Sequence, residues 1–324
     1  MNYFVGSYAT SPAWEQWDAE AEHAYFSQLK ALKNVQGLEH PFTGSLHPHD
    51  DDWFIANVSP DWQFVFTCVP GTMGALGKNP RFGIASDDEA GRQEALVFMQ
   101  KACDAIGKLN KGLGRKAVKA IEIQTAPDRS KAEGSAKSLQ ASLETMLSWD
   151  WHGADIVIEH CDALVPEHEH AKGFLSLDDE IAVLNELNAS KNANLGLLIN
   201  WGRSAIESMS TEGVLAHIKH VKAHGLLKGL MFSGVTDQES PYGIWKDTHM
   251  PASKNSTVEF GAEHSLLTEE EIHRSLAACG DALTENSIVG IKLGIRPKDA
   301  PLEPRVGYNQ SALAMIDRFF EEVA

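Results

Sequence analysis

Short apolar runs alternate with amphipathic stretches along the whole chain, and the period of the apolar positions switches between two and about 3.6. "YFVGSYA" (3–9) reads as a first strand, and Trp14, Trp17, Ala21, Tyr25, Leu29 and Leu32 then recur at helical steps. "VQGLEH" (35–40) and "QFVFTCV" (63–69) are the second and third strands, followed by a helix through Leu96, Met99, Cys103 and Ile106. "AVKAIEIQT" (117–125) leads into a helix through Leu139, Leu143 and Met146. "ADIVIEH" (154–160) leads into one through Ile181, Leu184 and Leu187, with Ser176 placed as its N-cap ahead of Asp178 and Asp179. "LGLLIN" (195–200), "LLKGLMFSG" (226–234) and "SIVGIKLGI" (287–295) complete eight strands. A last helix carries Leu313, Ile316, Phe319, Phe320 and Val323 on one face.

The later strands are nearly all apolar, as expected of a parallel sheet buried on both faces. Eight β/α units in 324 residues point to a closed (β/α)8 barrel, with an open doubly wound sheet as the competing architecture. No linker or low-complexity segment interrupts the pattern, so a single domain over residues 1–324 is expected. Two long connections, 70–88 and 235–268, leave the C-terminal ends of strands, where barrel enzymes build their sites.

Composition narrows the partners. The net charge of −17 argues against a nucleic-acid face. No apolar run approaches the roughly 18 residues of a membrane span, and "MNYFVGSYAT" lacks the basic and apolar regions of a signal peptide. Cys68, Cys103, Cys161 and Cys279 are widely separated, which reads as reduced thiols in a cytoplasmic protein.

Candidate chemistry sits at the strand ends. Glu122 in "AIEIQ", Glu159 in "IVIEH" and Lys292 in "GIKLG" place charges inside apolar strands, which is costly unless they are paired or used. Glu39, Gln124, His160, Asn200, Arg203, Ser233 and Arg296 lie at the same level and are candidates to bind substrate. Arg203 and Arg296 suit a phosphate, sulfonate or carboxylate. The loops "HPHDDD" (47–52) and "PEHEH" (166–170) carry metal-type residues at spacings equally typical of a solvated face. The four tryptophans Trp14, Trp17, Trp53 and Trp62 read as core.

"IVIEHCD" and "LGLLINWGRSAIE" resemble the fifth and sixth strands of the xylose isomerase-like barrel superfamily, the sugar and sugar-phosphate isomerases and epimerases. The resemblance implies a (β/α)8 fold, a sugar or anionic sugar derivative as ligand, and an assembly that is often a homo-oligomer. It also implies a metal site of Glu, Asp, His and Glu from strands five to eight. Here Glu159 matches the first position, whereas Asn200 with Arg203, Ser233 and Lys292 stand at the others, which marks a divergent bacterial branch. No metal is therefore expected. A divalent Mn, Zn, Co or Mg would require Glu159 and Glu122 with loop histidines such as His249 or His264. In the metal-free reading Glu159, Glu122 and Lys292 are catalytic. Either carboxylate moves a proton next to a carbonyl, and Lys292 with Arg203 stabilises the resulting oxyanion. A Schiff-base lyase or aldolase built on Lys292 and a non-catalytic sugar-binding barrel remain as alternatives.

Overall fold

Eight parallel strands close into a barrel in strict sequence order. They are β1 (Tyr3–Gly6), β2 (Val35–Pro41), β3 (Gln63–Thr67), β4 (Val118–Ile123), β5 (Asp155–His160), β6 (Gly196–Asn200), β7 (Leu227–Phe232) and β8 (Ile288–Ile291). The computed structural model describes every residue except Glu15 and Ala324; the Val323 side chain, placed by the sequence on the last apolar face, also lies outside the described residues. Closure is made by β1 on β8, with Phe4 opposite Gly290 and Val5 opposite Ile291, which eliminates the open doubly wound sheet.

The helices are α1 (Ser7–Thr10), α2 (Ala19–Ala31), α3 (Asp51–Asn57), α4 (Val69–Leu76), α5 (Glu89–Leu113) and α6 (Ala136–Met146). They continue with α7 (Leu177–Lys191), α8 (Trp201–Ser208), α9 (Thr211–Ala223), α10 (Glu269–Cys279) and α11 (Leu302–Val323). None among the described residues is long and apolar enough to cross a membrane. By contacts the chain forms two compact units. One comprises Met1–Glu39, Ile199–Lys222 and Gly229–Ala324; the other comprises His40–Leu198 and Ala223–Lys228. The first has its core in Tyr3, Phe4, Val5, Leu230, Phe232, Val289 and Ile291. The second has its core in Phe64, Val65, Phe66, Ile121, Ile123 and Ile158.

Several local expectations change. The helix expected from Trp14 starts only at Ala19, because the Asp18 side chain caps it by accepting the Glu20 and Ala21 amides, each at 3.0 Å. Trp14 is consequently 38% exposed, and of the four tryptophans read as core only Trp62 is fully buried. The connection at 70–88 opens with α4, started by Pro70 in its first turn, where a missing N–H costs nothing. The connection at 235–268 contains no named helix or strand, but it is fastened to itself. Gly234 and Met250 exchange two backbone hydrogen bonds, of 2.8 and 3.0 Å, and Ser253 bridges to Ala262.

Candidate active site

In the second unit the ends of β3, β4 and β5 carry a buried polar set. Thr67 lies opposite Glu122 in the β3–β4 register, so the two share a face of the sheet, and Gln124 follows two residues on. Gln124 donates its amide to Glu159 Oε2 at 3.0 Å. The buried Cys68 thiol is pushed far above its ordinary value, first by burial and then by the negative charges of Glu122 and Glu159, so both carboxylates bear on one thiol. Thr67, Glu122, Gln124 and Glu159 are all buried. The carbonyl oxygen of Gln124 and the hydroxyl of Thr67 have no hydrogen-bond partner among the described residues.

His160 belongs to a different layer. One residue beyond Glu159 on an extended strand, it points to the opposite face. There its Nδ1 lies 2.7 Å from Glu180 Oε2 on α7, and the Thr125 hydroxyl donates to Glu180 Oε1 at 2.7 Å.

In the first unit the polar groups are organised in pairs. The buried Lys292 ammonium contacts Glu39 Oε1. Gly6, at the end of β1, makes room for them: a Cβ there would fall 2.6 Å from Glu39 Oε2 and 3.0 Å from Lys292 Cγ. Asn200 caps α8 by accepting the Arg203 amide at 3.3 Å. Arg203, buried, places Nε 3.1 Å from Asp247 Oδ2. The other Asp247 oxygen lies 3.4 Å from His249 Nδ1, and the same nitrogen lies 2.9 Å from Ser233 Oγ. His264 is exposed on the 235–268 connection.

A cavity of about 700 Å³ opens in this unit, lined by Tyr8, Trp14, Asp247, His249, Arg296 and Lys298 among others. Arg296 stands over the Tyr242 ring, 5.4 Å from its centroid, and donates to the Ile295 carbonyl at 2.7 Å. Asp247, Tyr8, Trp14 and Thr67 are not among the site residues that the sequence nominates. Asp247 and His249 are two residues apart in an irregular connection, and nothing in their spacing indicates a partnership with Arg203 and Ser233.

The residues present do not fit the four-ligand metal set that the fold resemblance implies. Only Glu159 offers a ligand at its position. Asn200 caps a helix, Ser233 is engaged by His249, and Lys292 is a cation. Glu39, Glu122 and Glu159 carry hard oxygen donors of the type that suits a divalent cation, but Glu39 is already matched by Lys292.

Known proteins locate the fold. Residues 4–308 match the family described as Domain of unknown function (DUF4862). The "Uncharacterized protein STM3670" of Salmonella typhimurium is 31% identical over 318 residues, 98% of this chain and 97% of that relative. Among solved structures, a D-allulose 3-epimerase from Methylomonas sp. in complex with D-allulose aligns with a TM-score of 0.56 at 12% identity, covering 99% of this chain and 96% of that one. A xylose isomerase domain protein from Alicyclobacillus acidocaldarius aligns at 0.52 and 13% identity, covering 92% and 94%. The barrel is thus of the xylose isomerase-like kind.

Proposed function

Starting from a chain that belongs to the DUF4862 family and folds as a xylose isomerase-like barrel, we propose that it is a sugar isomerase or epimerase that moves a proton at the carbon next to a carbonyl. The observation that carries this reading is the pair of buried carboxylates on the adjacent strands β4 and β5, Glu122 and Glu159, beside an amide carbonyl with no partner among the described residues. Two carboxylates flanking a carbon acid can act as base on one face and acid on the other. Gln124 fixes the Glu159 carboxylate by one oxygen and leaves its own carbonyl to accept a sugar hydroxyl. Lys292 is assigned the role of fixed positive charge for the developing oxyanion, in place of a metal. The ion pair with Glu39 engages the ammonium that a Schiff base would need as a free amine, so the lyase reading is the weaker one.

The test is deuterium wash-in. The full chain is incubated in heavy water with a panel of ketoses and aldoses, including D-allulose and D-fructose, and label at the carbon beside the carbonyl is read by NMR. Label is expected in at least one sugar, with Glu159→Gln slowing its entry about 10²–10⁴-fold, the usual contribution of an acid/base group. Absence of label from every sugar would remove the isomerase reading. Label that enters Lys292→Met at the unchanged rate would remove Lys292 from the mechanism.

A further inference from the structure

We infer that the cavity beside Arg296 takes a sugar acid, a monosaccharide-sized ligand bearing one carboxylate, with Arg296 as the residue that holds the carboxylate. This deepens the isomerase/epimerase reading and rests on it. A volume of about 700 Å³ is within the range of ordinary small-molecule sites.

The two arginines that the sequence nominates for an anion have different fates. Arg203 is buried and committed to Asp247. Arg296, also on the cavity side of the first unit, forms no ion pair among the described residues, although acids outnumber bases 45 to 28 in this chain. Its guanidinium is held in place without being neutralised. One Nη1 hydrogen bond goes to the Ile295 carbonyl, and the plane rests over Tyr242. That phenol stays uncharged, pushed up to about 12 mainly by burial. The guanidinium fork thus keeps donors to spare, in the geometry that matches a carboxylate.

The wall as a whole favours an anion. It presents three cations, Arg296, Lys298 and Arg305, against two acids, Asp247 and Asp299. Arg305 is structural: it donates to the carbonyls of Thr10, Ser11 and Ala300 at 2.7–3.1 Å, and to that of Lys298. With Asp247 already matched by Arg203, the wall keeps an excess of positive charge, and the planar fork of Arg296 is the group in it that pairs with a carboxylate. Trp14 and Tyr8, with ring centroids 5.2 Å apart, give the same cavity an aromatic flank on which the apolar face of a sugar ring can lie.

Isothermal titration calorimetry of the full chain near neutral pH tests this with D-glucuronate, D-galacturonate, D-glucose and glucose 6-phosphate. At least one uronate is expected to bind about tenfold or more tightly than D-glucose, as a charge-assisted pair implies. Arg296→Gln should erase that margin, so that the variant binds the uronates no more tightly than D-glucose, and Arg296→Lys should keep part of it. If D-glucose binds as tightly as both uronates, or the margin survives in Arg296→Gln, the Arg296 assignment falls while the sugar reading stands. If glucose 6-phosphate binds more tightly than both uronates, the carboxylate class is wrong. If none of the four binds, the inference fails; wash-in of deuterium into any panel sugar would then show that the isomerase reading survives without it.

Discussion

The strand ends of the two units solve the problem of buried polarity in opposite ways. In the first unit the two buried cations at the strand ends have carboxylate partners: Lys292 with Glu39, and Arg203 with Asp247. In the second unit Gln124 spends its amide on Glu159, but its carbonyl and the Thr67 hydroxyl are left with no partner among the described residues. Buried polar atoms are satisfied in the great majority of native structures, so each exception calls for a reason. A matched pair needs no ligand to satisfy it. In the proposed isomerase reading, the unmatched acceptor beside two carboxylates meets a ligand that supplies the missing donor. The contrast between matched charges and an unmatched acceptor can be tested by deleting one side chain at a time.

The largest effect is expected where a matched charge is orphaned. Lys292→Met leaves Glu39 without its counter-charge and should cost about 3–5 kcal/mol, read from urea denaturation midpoints. The double variant Lys292→Met/Glu39→Leu removes both charges and should recover most of that loss. A double variant no more stable than the single one would mean that the pair is not the unit of stability described. Gln124→Met, in the second unit, deletes one charge-assisted hydrogen bond to Glu159 and no whole charge. It should cost less, about 1.5–3 kcal/mol. A loss equal to that of Lys292→Met would erase the distinction between the two regions.

Which of these features the sequence exposes follows from how local they are. All eight strands were legible because a continuous apolar run states its own burial. For the same reason Glu122, Glu159 and Lys292 stood out as charges in runs that tolerate none, and the structure buries all three. The Ser176 cap was legible too, and it accepts the Asp179 amide as its position predicts. Partnerships across long connections were not. Asp247 reaches Arg203 from 44 positions away, through a segment whose path is set by backbone bridges such as Gly234–Met250 and not by any periodic pattern. Trp14 was misplaced because apolar spacing alone extended its helix past the cap at Asp18. The helix α8 was missed because it begins at Trp201 with no intervening turn, its cap being the last residue of β6.

A smaller effect, common to both units, comes from pH. Cys68 in the second unit and Cys279 in the first are buried thiols whose ordinary value is 9.0. Burial is the main cause of both upward shifts. It carries Cys279 to about 12, against a downward pull from Lys222, while Cys68 is raised further by Glu122 and Glu159. The unfolded chain therefore releases these protons near pH 9 while the folded chain keeps them. The folded state binds more protons above that point, so stability falls as pH rises. Each thiol contributes up to about 1.4 kcal/mol per pH unit. Urea midpoints should hold between pH 7 and 8 and decline above 9. Cys68→Ala and Cys279→Ala should each flatten the decline, and a slope unchanged in both variants would assign it to other groups.

The smallest effect has the opposite sign. Thr67→Val keeps the shape of a fully buried side chain and removes a hydroxyl that has no partner among the described residues. If that hydroxyl served the fold, its loss would destabilise. If it waits for a ligand, the free protein carries only the cost of burying it, and Thr67→Val should leave stability unchanged or raise it by about 1 kcal/mol. The same substitution should weaken binding of a sugar that the wild-type chain retains, by about three- to tenfold for one neutral hydrogen bond. A stable fold with poorer binding would mark Thr67 as part of the substrate surface of the second unit. A clear loss of stability would place it among the groups that hold the fold.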